Sequence, residues 1–202
     1  MKLLLTTVVL ALLVPIAACN SINPIASSGV QLPQTKSSPL PETATAEVTK
    51  DWYNYTAKDG SYTAMFPSQP QEENRSINSQ VGEIKYLLVS YTYDTNNRFY
   101  ITSSTKYPVN PSEYNVEKGL DGARDGQAKS ANMTVTSEKK ISFNGIPGRE
   151  ITLQGSKGEA VLSRIFIDPE GPTLYQATVV AGDGNLVFPE AEAFLDSLAI
   201  PK

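Results

Sequence analysis

The chain contains no histidine and a single cysteine, Cys19. Histidine is the side chain that titrates nearest neutral pH, so its absence removes the usual general acid or base. Ser-His-Asp and Cys-His arrangements go with it, as does the commonest metal ligand. Without a second cysteine there is no thiolate metal site, redox pair or intramolecular disulfide. No phosphate-cradling Gly-rich loop with Lys-Ser/Thr and no dinucleotide fingerprint occurs. Carboxylates, Ser-Lys pairs and tyrosines remain as catalytic groups, but sequence order singles out no such pair. No catalytic residue, cofactor or metal-ligand set is assigned. Basic residues are also few, with 17 Lys and Arg against 21 Asp and Glu. Nucleic acid binding needs clustered cations against phosphates, and none cluster here. Nor is there a polybasic patch for anionic lipid.

Long apolar runs are scarce too. The longest, Leu3 to Val14, follows Lys2 and stops at Pro15, and small residues Ala17 and Ala18 precede Cys19. Charge, short hydrophobic core and small-residue cleavage site are the order of a secretory signal. A spanning helix needs roughly 20 apolar residues, and polar Asn20 and Ser21 come too soon. Ile16-Ala17-Ala18-Cys19 resembles the lipobox of bacterial lipoproteins. That resemblance implies cleavage between Ala18 and Cys19 and acylation of the Cys19 thiol, with palmitate-type chains as the membrane contact. One acyl chain gives marginal binding and two or more make it stable, because each buried methylene contributes about 0.8 kcal/mol. Residues 1–18 are therefore expected to be a signal peptide. Its removal leaves 16 basic and 21 acidic residues, a net charge of −5.

Residues 19–50 read as the lipidated cysteine plus a disordered tether rich in Pro, Ser and Thr, with no aromatic residue and no sustained apolar period. Such a segment cannot bury enough surface to offset its ordering entropy. Residues 51–202 then form one domain, close to the commonest domain size. Trp52 to Ala57 and Ser61 to Phe66 flank Lys58-Asp59-Gly60, a hairpin signal. Phe66-Pro67 and Pro70 end the second strand, and the next strand signal is Ile84 to Tyr93. There Leu87, Val89, Tyr91 and Tyr93 alternate with Tyr86, Leu88, Ser90 and Thr92. A polar turn at residues 94–97 leads into a strand from Arg98 to Lys106.

Asn110-Pro111-Ser112-Glu113 predicts a helix start by cap, first-turn proline and dipole. Val116, Leu120, Ala123, Gln127 and Ala131 follow at helical spacing, although Gly119, Gly122 and Gly126 each weaken the helix by roughly 1 kcal/mol relative to Ala. Whether 111–131 is one continuous helix is left open by these signals. Strands are expected at Thr134–Phe143, Arg149–Gln154, Glu159–Ile167 and Thr173–Ala181, with Asn144-Gly145 as a strong turn. The last two are apolar on both faces, as in the middle of a covered sheet. Pro189 opens a final helix, Glu190 to Leu198. The sum is an α+β domain with a central antiparallel β-sheet flanked by helices.

The segments "DGSYTAMFPSQPQ", "FNGIPGREITLQG", "RIFIDPEGPTLYQATVVA" and "AFLDSLAI" resemble the pattern of PsbP-like domains, over about residues 52–200. The resemblance implies an α/β/α sandwich in a bacterial lipoprotein or lumenal protein, of the kind found in cyanobacteria. It also implies a role as accessory or assembly factor for a membrane complex. Members linked to metal ions use histidines with acidic residues, so no metal site transfers to this histidine-free chain.

Smaller features have ordinary readings. Asp94 to Asn97 and Asp183-Gly184-Asn185 offer hard oxygen ligands for Ca²⁺, but neither continues as an EF-hand loop, and Asp and Asn favour turns. Asp121 and Asp125 share a helix face, with Arg124 and Lys129 close enough to screen them. Trp52, Tyr53 and Tyr55, directly after the tether, form the candidate partner surface, since Tyr and Trp combine large rigid area with a polar handle. The expected function is a non-catalytic protein-interaction domain of an exported lipoprotein, held by acylated Cys19 at a periplasmic or thylakoid-lumenal membrane face. The alternative is a Ca²⁺- or sugar-binding module of the cell envelope. A more distant one is an enzyme working through carboxylates or tyrosine.

Overall fold

The computed structural model describes residues 47–79, 82–93 and 97–201. The signal segment, the Ala18–Cys19 cleavage site, the tether up to residue 46 and turn residues 94–96 lie outside the described residues. The described residues begin slightly before the expected domain boundary. Thr49 is buried, and its carbonyl accepts from the Trp52 amide at 3.0 Å.

The first two strands, β1 (Tyr53–Thr56) and β2 (Thr63–Phe66), pair as the expected hairpin. Seven further strands build one antiparallel sheet. They are β3 (Gln71–Ser79), β4 (Gly82–Tyr93), β5 (Arg98–Lys106), β6 (Thr134–Phe143), β7 (Ile146–Gln154), β8 (Ala160–Asp168) and β9 (Thr173–Ala181), in the spatial order β3-β4-β5-β9-β8-β7-β6. Two meanders, β3–β5 and β6–β9, are joined where β5 meets β9, in register from Arg98↔Ala181 to Lys106↔Thr173. The expected strands recur within a few residues, and Asn144-Gly145 makes its turn with φ of 49° and 86°, the left-handed pair that a two-residue hairpin needs.

Strand β3 has no counterpart in the sequence reading. Its residues QEENRSINS contain one large apolar side chain, Ile77, because an edge strand has only one neighbour and needs little apolar surface. The helix start is also corrected. Asn110 and Pro111 open a 3-10 turn, Pro111–Glu113, in which the Asn110 side chain accepts from the Ser112 amide. The helix proper, α1 (Val116–Ala131), has its own cap: Asn115 Oδ1 accepts from the Lys118 amide at 3.0 Å. Residues 111–131 are therefore a turn and a helix. Between them Tyr114 stacks on Tyr107 at 5.5 Å and lies over Gly119, where a Cβ would collide with the Tyr114 hydroxyl and with Ile167. That close approach is why glycine stands inside the helix. The second helix, α2 (Pro189–Asp196), starts at the expected proline.

The two helices cover opposite faces. α2 packs with the β1–β2 hairpin over a core that includes Tyr62, Phe66, Tyr100, Phe166, Val179 and Phe194. α1 covers the other face through Leu120 and Ala123 at one end and Ala128 and Ala131 at the other. A polar layer separates those ends. Ser163 and Thr178 hydroxyls bond at 2.7 Å, Gln127 Nε2 donates to both, and Ser103 donates to Gln176 Oε1 at 2.8 Å. The fold class is α+β with a central antiparallel sheet. Helices cover it less than the sequence reading expects, since one covering layer is largely the β1–β2 hairpin, brought there by the aromatic side chains of β1 and β2.

Candidate functional site

The three aromatic residues after the tether do not share one environment. Tyr55 is in the core, packed edge-on against Phe66 at 6.0 Å, and burial raises its hydroxyl pKa well above the ordinary phenol range. Trp52 is half-buried and meets Tyr100 edge-on at 6.1 Å. Tyr53 is 42% exposed. Only Trp52 and Tyr53 of the trio offer surface.

Trp52 instead joins aromatics from the sheet. Tyr91 on β4 stands directly across from Tyr100 on β5, with ring centroids 6.3 Å apart, and Tyr93 follows Tyr91 at 6.5 Å. The result is a ledge, Trp52–Tyr100–Tyr91–Tyr93, that starts at half-buried Trp52, passes over buried Tyr100 and ends at Tyr93, 41% exposed. Tyr100 anchors it. Burial, reinforced by the negative charge of Glu190, pushes its pKa up to about 12, so it stays a neutral hydroxyl. Alternation on β4 signals Tyr91 and Tyr93 as one face, but their meeting with Trp52 needs the β4–β5 register and the hairpin fold.

A second feature lies on the same face of the sheet, beside the hairpin loop. It is a groove of about 610 Å³, within the size range of small-ligand sites. The β3, β4, β5 and β9 strands form its floor and Asp59 and Ser61 one wall. The wall is fixed by Asp59 Oδ1, which accepts from the Ser61 amide at 3.0 Å; the Ser61 side chain, and after it that amide, hold the carboxyl below the ordinary carboxylate range. Tyr175 closes one side, its hydroxyl pKa raised by burial and then by the charge of Asp168.

The other polar candidates are engaged in structure. Asp183 Oδ1 accepts from the Asn185 amide at 3.0 Å and Asn185 Oδ1 from the Val187 amide at 2.9 Å, so both side chains close their own turn. Arg124 spans Asp121 at 3.4 Å, Asp125 at 2.8 Å and Glu138 at 2.7 Å. Among the described residues no group of three or more acidic or thiol side chains gathers as a metal site, and no helix is long and apolar enough to cross a membrane.

No family model matches the chain, and no curated protein matches it by sequence. The backbone is similar to the solution structure of cyanobacterial PsbP (CyanoP) from Synechocystis sp. PCC 6803. The TM-score is 0.51 at 7% identity, covering 74% of this chain and 92% of that one. The fold is PsbP-like. A crystal structure from Bacteroides thetaiotaomicron also aligns, with TM-score 0.41 and 16% identity, over 74% of this chain and 48% of that one. The likeness to the CyanoP structure is one of backbone fold alone. At this identity it transfers no residue, ligand or partner.

Proposed function

We propose that this protein is an exported lipoprotein, held at a membrane by acylated Cys19, whose PsbP-like domain serves as a non-catalytic accessory or assembly factor. Its partner is a protein of an envelope or photosynthetic-membrane complex, and the domain's layers are read as a variant of the α/β/α sandwich. The observation that carries this reading is the ledge Trp52–Tyr100–Tyr91–Tyr93. Interface cores are enriched in Tyr and Trp, and rings already braced by neighbours lose little freedom on binding. The ledge also begins at Trp52, directly after the expected tether, so it lies at the end of the body nearest the anchor along the chain. Likeness to a PsbP-like structure supports the accessory reading at the level of fold.

Affinity capture from detergent-solubilised membranes tests it. The full chain should recover one stoichiometric complex, and Tyr93→Ala, which removes an exposed ring, should lose it by roughly tenfold, as for an interface hot spot. Equal capture by wild type and variant removes the ledge from the account. Mass spectrometry of the mature amino terminus tests the anchor separately, and a free Cys19 thiol contradicts it.

A further inference from the structure

The groove beside the hairpin contains an arrangement that neither the fold nor the partner reading explains. Strand register places four side chains in one row across its floor. Ser76 on β3 opposes Lys85 on β4, Lys85 opposes Lys106 on β5, and Lys106 opposes Thr173 on β9. All four line the groove. Two lysines thus leave directly opposed backbone positions, with a hydroxyl-bearing residue on either flank. Directly opposed residues have Cβ atoms roughly 4.5–5.5 Å apart, and like charges so placed destabilise a sheet.

The neighbouring carboxylates relieve this only in part. Glu83 reaches Lys85 only at 3.7 Å, with both side chains largely in solvent. Asp59 is turned to the Ser61 amide, and Arg75 is held by Glu73 at 2.6 Å. Among the described residues Lys106 has no ion pair. Behind the lysine row the Ser104 side chain, on a residue only 9% exposed, also borders the groove and has no hydrogen bond among the described residues.

We propose that the groove binds a small organic or inorganic anion through a carboxylate or phosphate group held between Lys85 and Lys106, with Ser76 and Ser104 as hydroxyl donors. An anion there removes the lysine repulsion and accepts charge-assisted hydrogen bonds from both ammonium groups. The concavity suits a compact ligand, because the hairpin loop walls the row on one side. This site is independent of the aromatic ledge and of the proposed protein partner.

Calorimetric titration of the full chain with succinate, inorganic phosphate and an oligoglutamate peptide tests the proposal. Saturable binding of succinate or phosphate is expected, weakened in about 1 M salt, where the Debye length falls to about 3 Å. Lys106→Gln should lose it by at least roughly tenfold, since a charged hydrogen bond contributes about 1.5–3 kcal/mol. Lys106→Arg should retain most of it, and Lys118→Gln, on exposed α1 surface, should retain all of it. No saturable binding of either small anion, unchanged binding by Lys106→Gln, or binding of the peptide alone overturns the proposal.

Discussion

The two halves of the large sheet treat their cations in opposite ways. In the β6–β7–β8 half, neighbouring strands aim an arginine at each face, and each grips a helix. Arg149 meets Glu117 of α1 at 2.5 Å and Glu138 of β6 at 2.9 Å. Arg164 meets Glu192 of α2 at 2.7 Å, Asp196 of α2, and Glu150 of β7 at 2.9 Å. In the β3–β4–β5 half, Arg75 pairs along the edge strand, but Lys85 and Lys106 oppose each other over an open groove. Neutralised cations in the first half hold layers together. Lys85, with Glu83 at 3.7 Å, and Lys106, unpaired among the described residues, face concave surface in the second, and that asymmetry separates architecture from the proposed place for a ligand.

Removing the clamps should have the largest effect. Arg164→Ala is expected to destabilise the domain by about 3 kcal/mol, because it strips the main partner from Glu150, a carboxylate with 17% of its side chain exposed. Arg149→Ala should cost less, about 2 kcal/mol, since Glu117 is 55% exposed and Glu138 keeps Arg124. Chemical denaturation of both variants measures the difference, and equal losses would erase the distinction between the clamps.

Gly119→Ala separates packing from propensity on the α1 side. Alanine favours a helix by about 1 kcal/mol over glycine, but the added methyl strikes Tyr114 and Ile167. A net loss of about 1–2 kcal/mol is expected, read from the same denaturation curves. A gain would mean that Tyr114 yields easily.

Acid titration addresses the clamps together. Burial pushes the Glu150 carboxyl up, but hydrogen bonds and charge from Arg164 and Lys139 outweigh it and hold the carboxyl below the ordinary range. Arg149 and Lys140 lower Glu117 in the same direction. A depressed folded pKa gives stability that is present above the unfolded value, about 4.3, and is lost as pH falls through the folded value. Thermal melting should therefore be flat from about pH 8 to 5, where no histidine titrates, and fall below about pH 4. A melting step near pH 6 would contradict this.

The smallest expected effect has the opposite sign. Lys106→Gln in anion-free buffer should raise stability by about 0.2–1 kcal/mol by relieving the opposed lysines. A destabilised variant would place a partner on Lys106 and narrow the contrast between the halves.

Much of the α+β order was legible in the residues. Tyr86 and Leu88 point away from Leu87, Val89 and Tyr91, as alternation on β4 requires. The buried α1 positions Leu120, Ala123 and Gln127 fall on the expected helical stripe. Strand β3 escaped because an edge strand can be almost wholly polar. The start of α1 was misjudged because Asn110 and Asn115 are both competent caps, and the stacking of Tyr114 on Tyr107 selects the second. The site was less legible than the fold. Tyr55 and Tyr53 lie two residues apart on one strand, yet one is core and the other surface.

Apart from β3 and the start of α1, the sequence alone determined which segments become strands or helices and which side chains share a face, because those depend on dihedral preference and short periodicity. Tertiary structure decided which distant strands became neighbours. It set β5 against β9, Trp52 against Tyr100, and Ser76, Lys85, Lys106 and Thr173 in one row. The physical reason is register: contacts between strands far apart in the chain are fixed by burying both sheet faces at once, and no local stretch of residues contains that constraint.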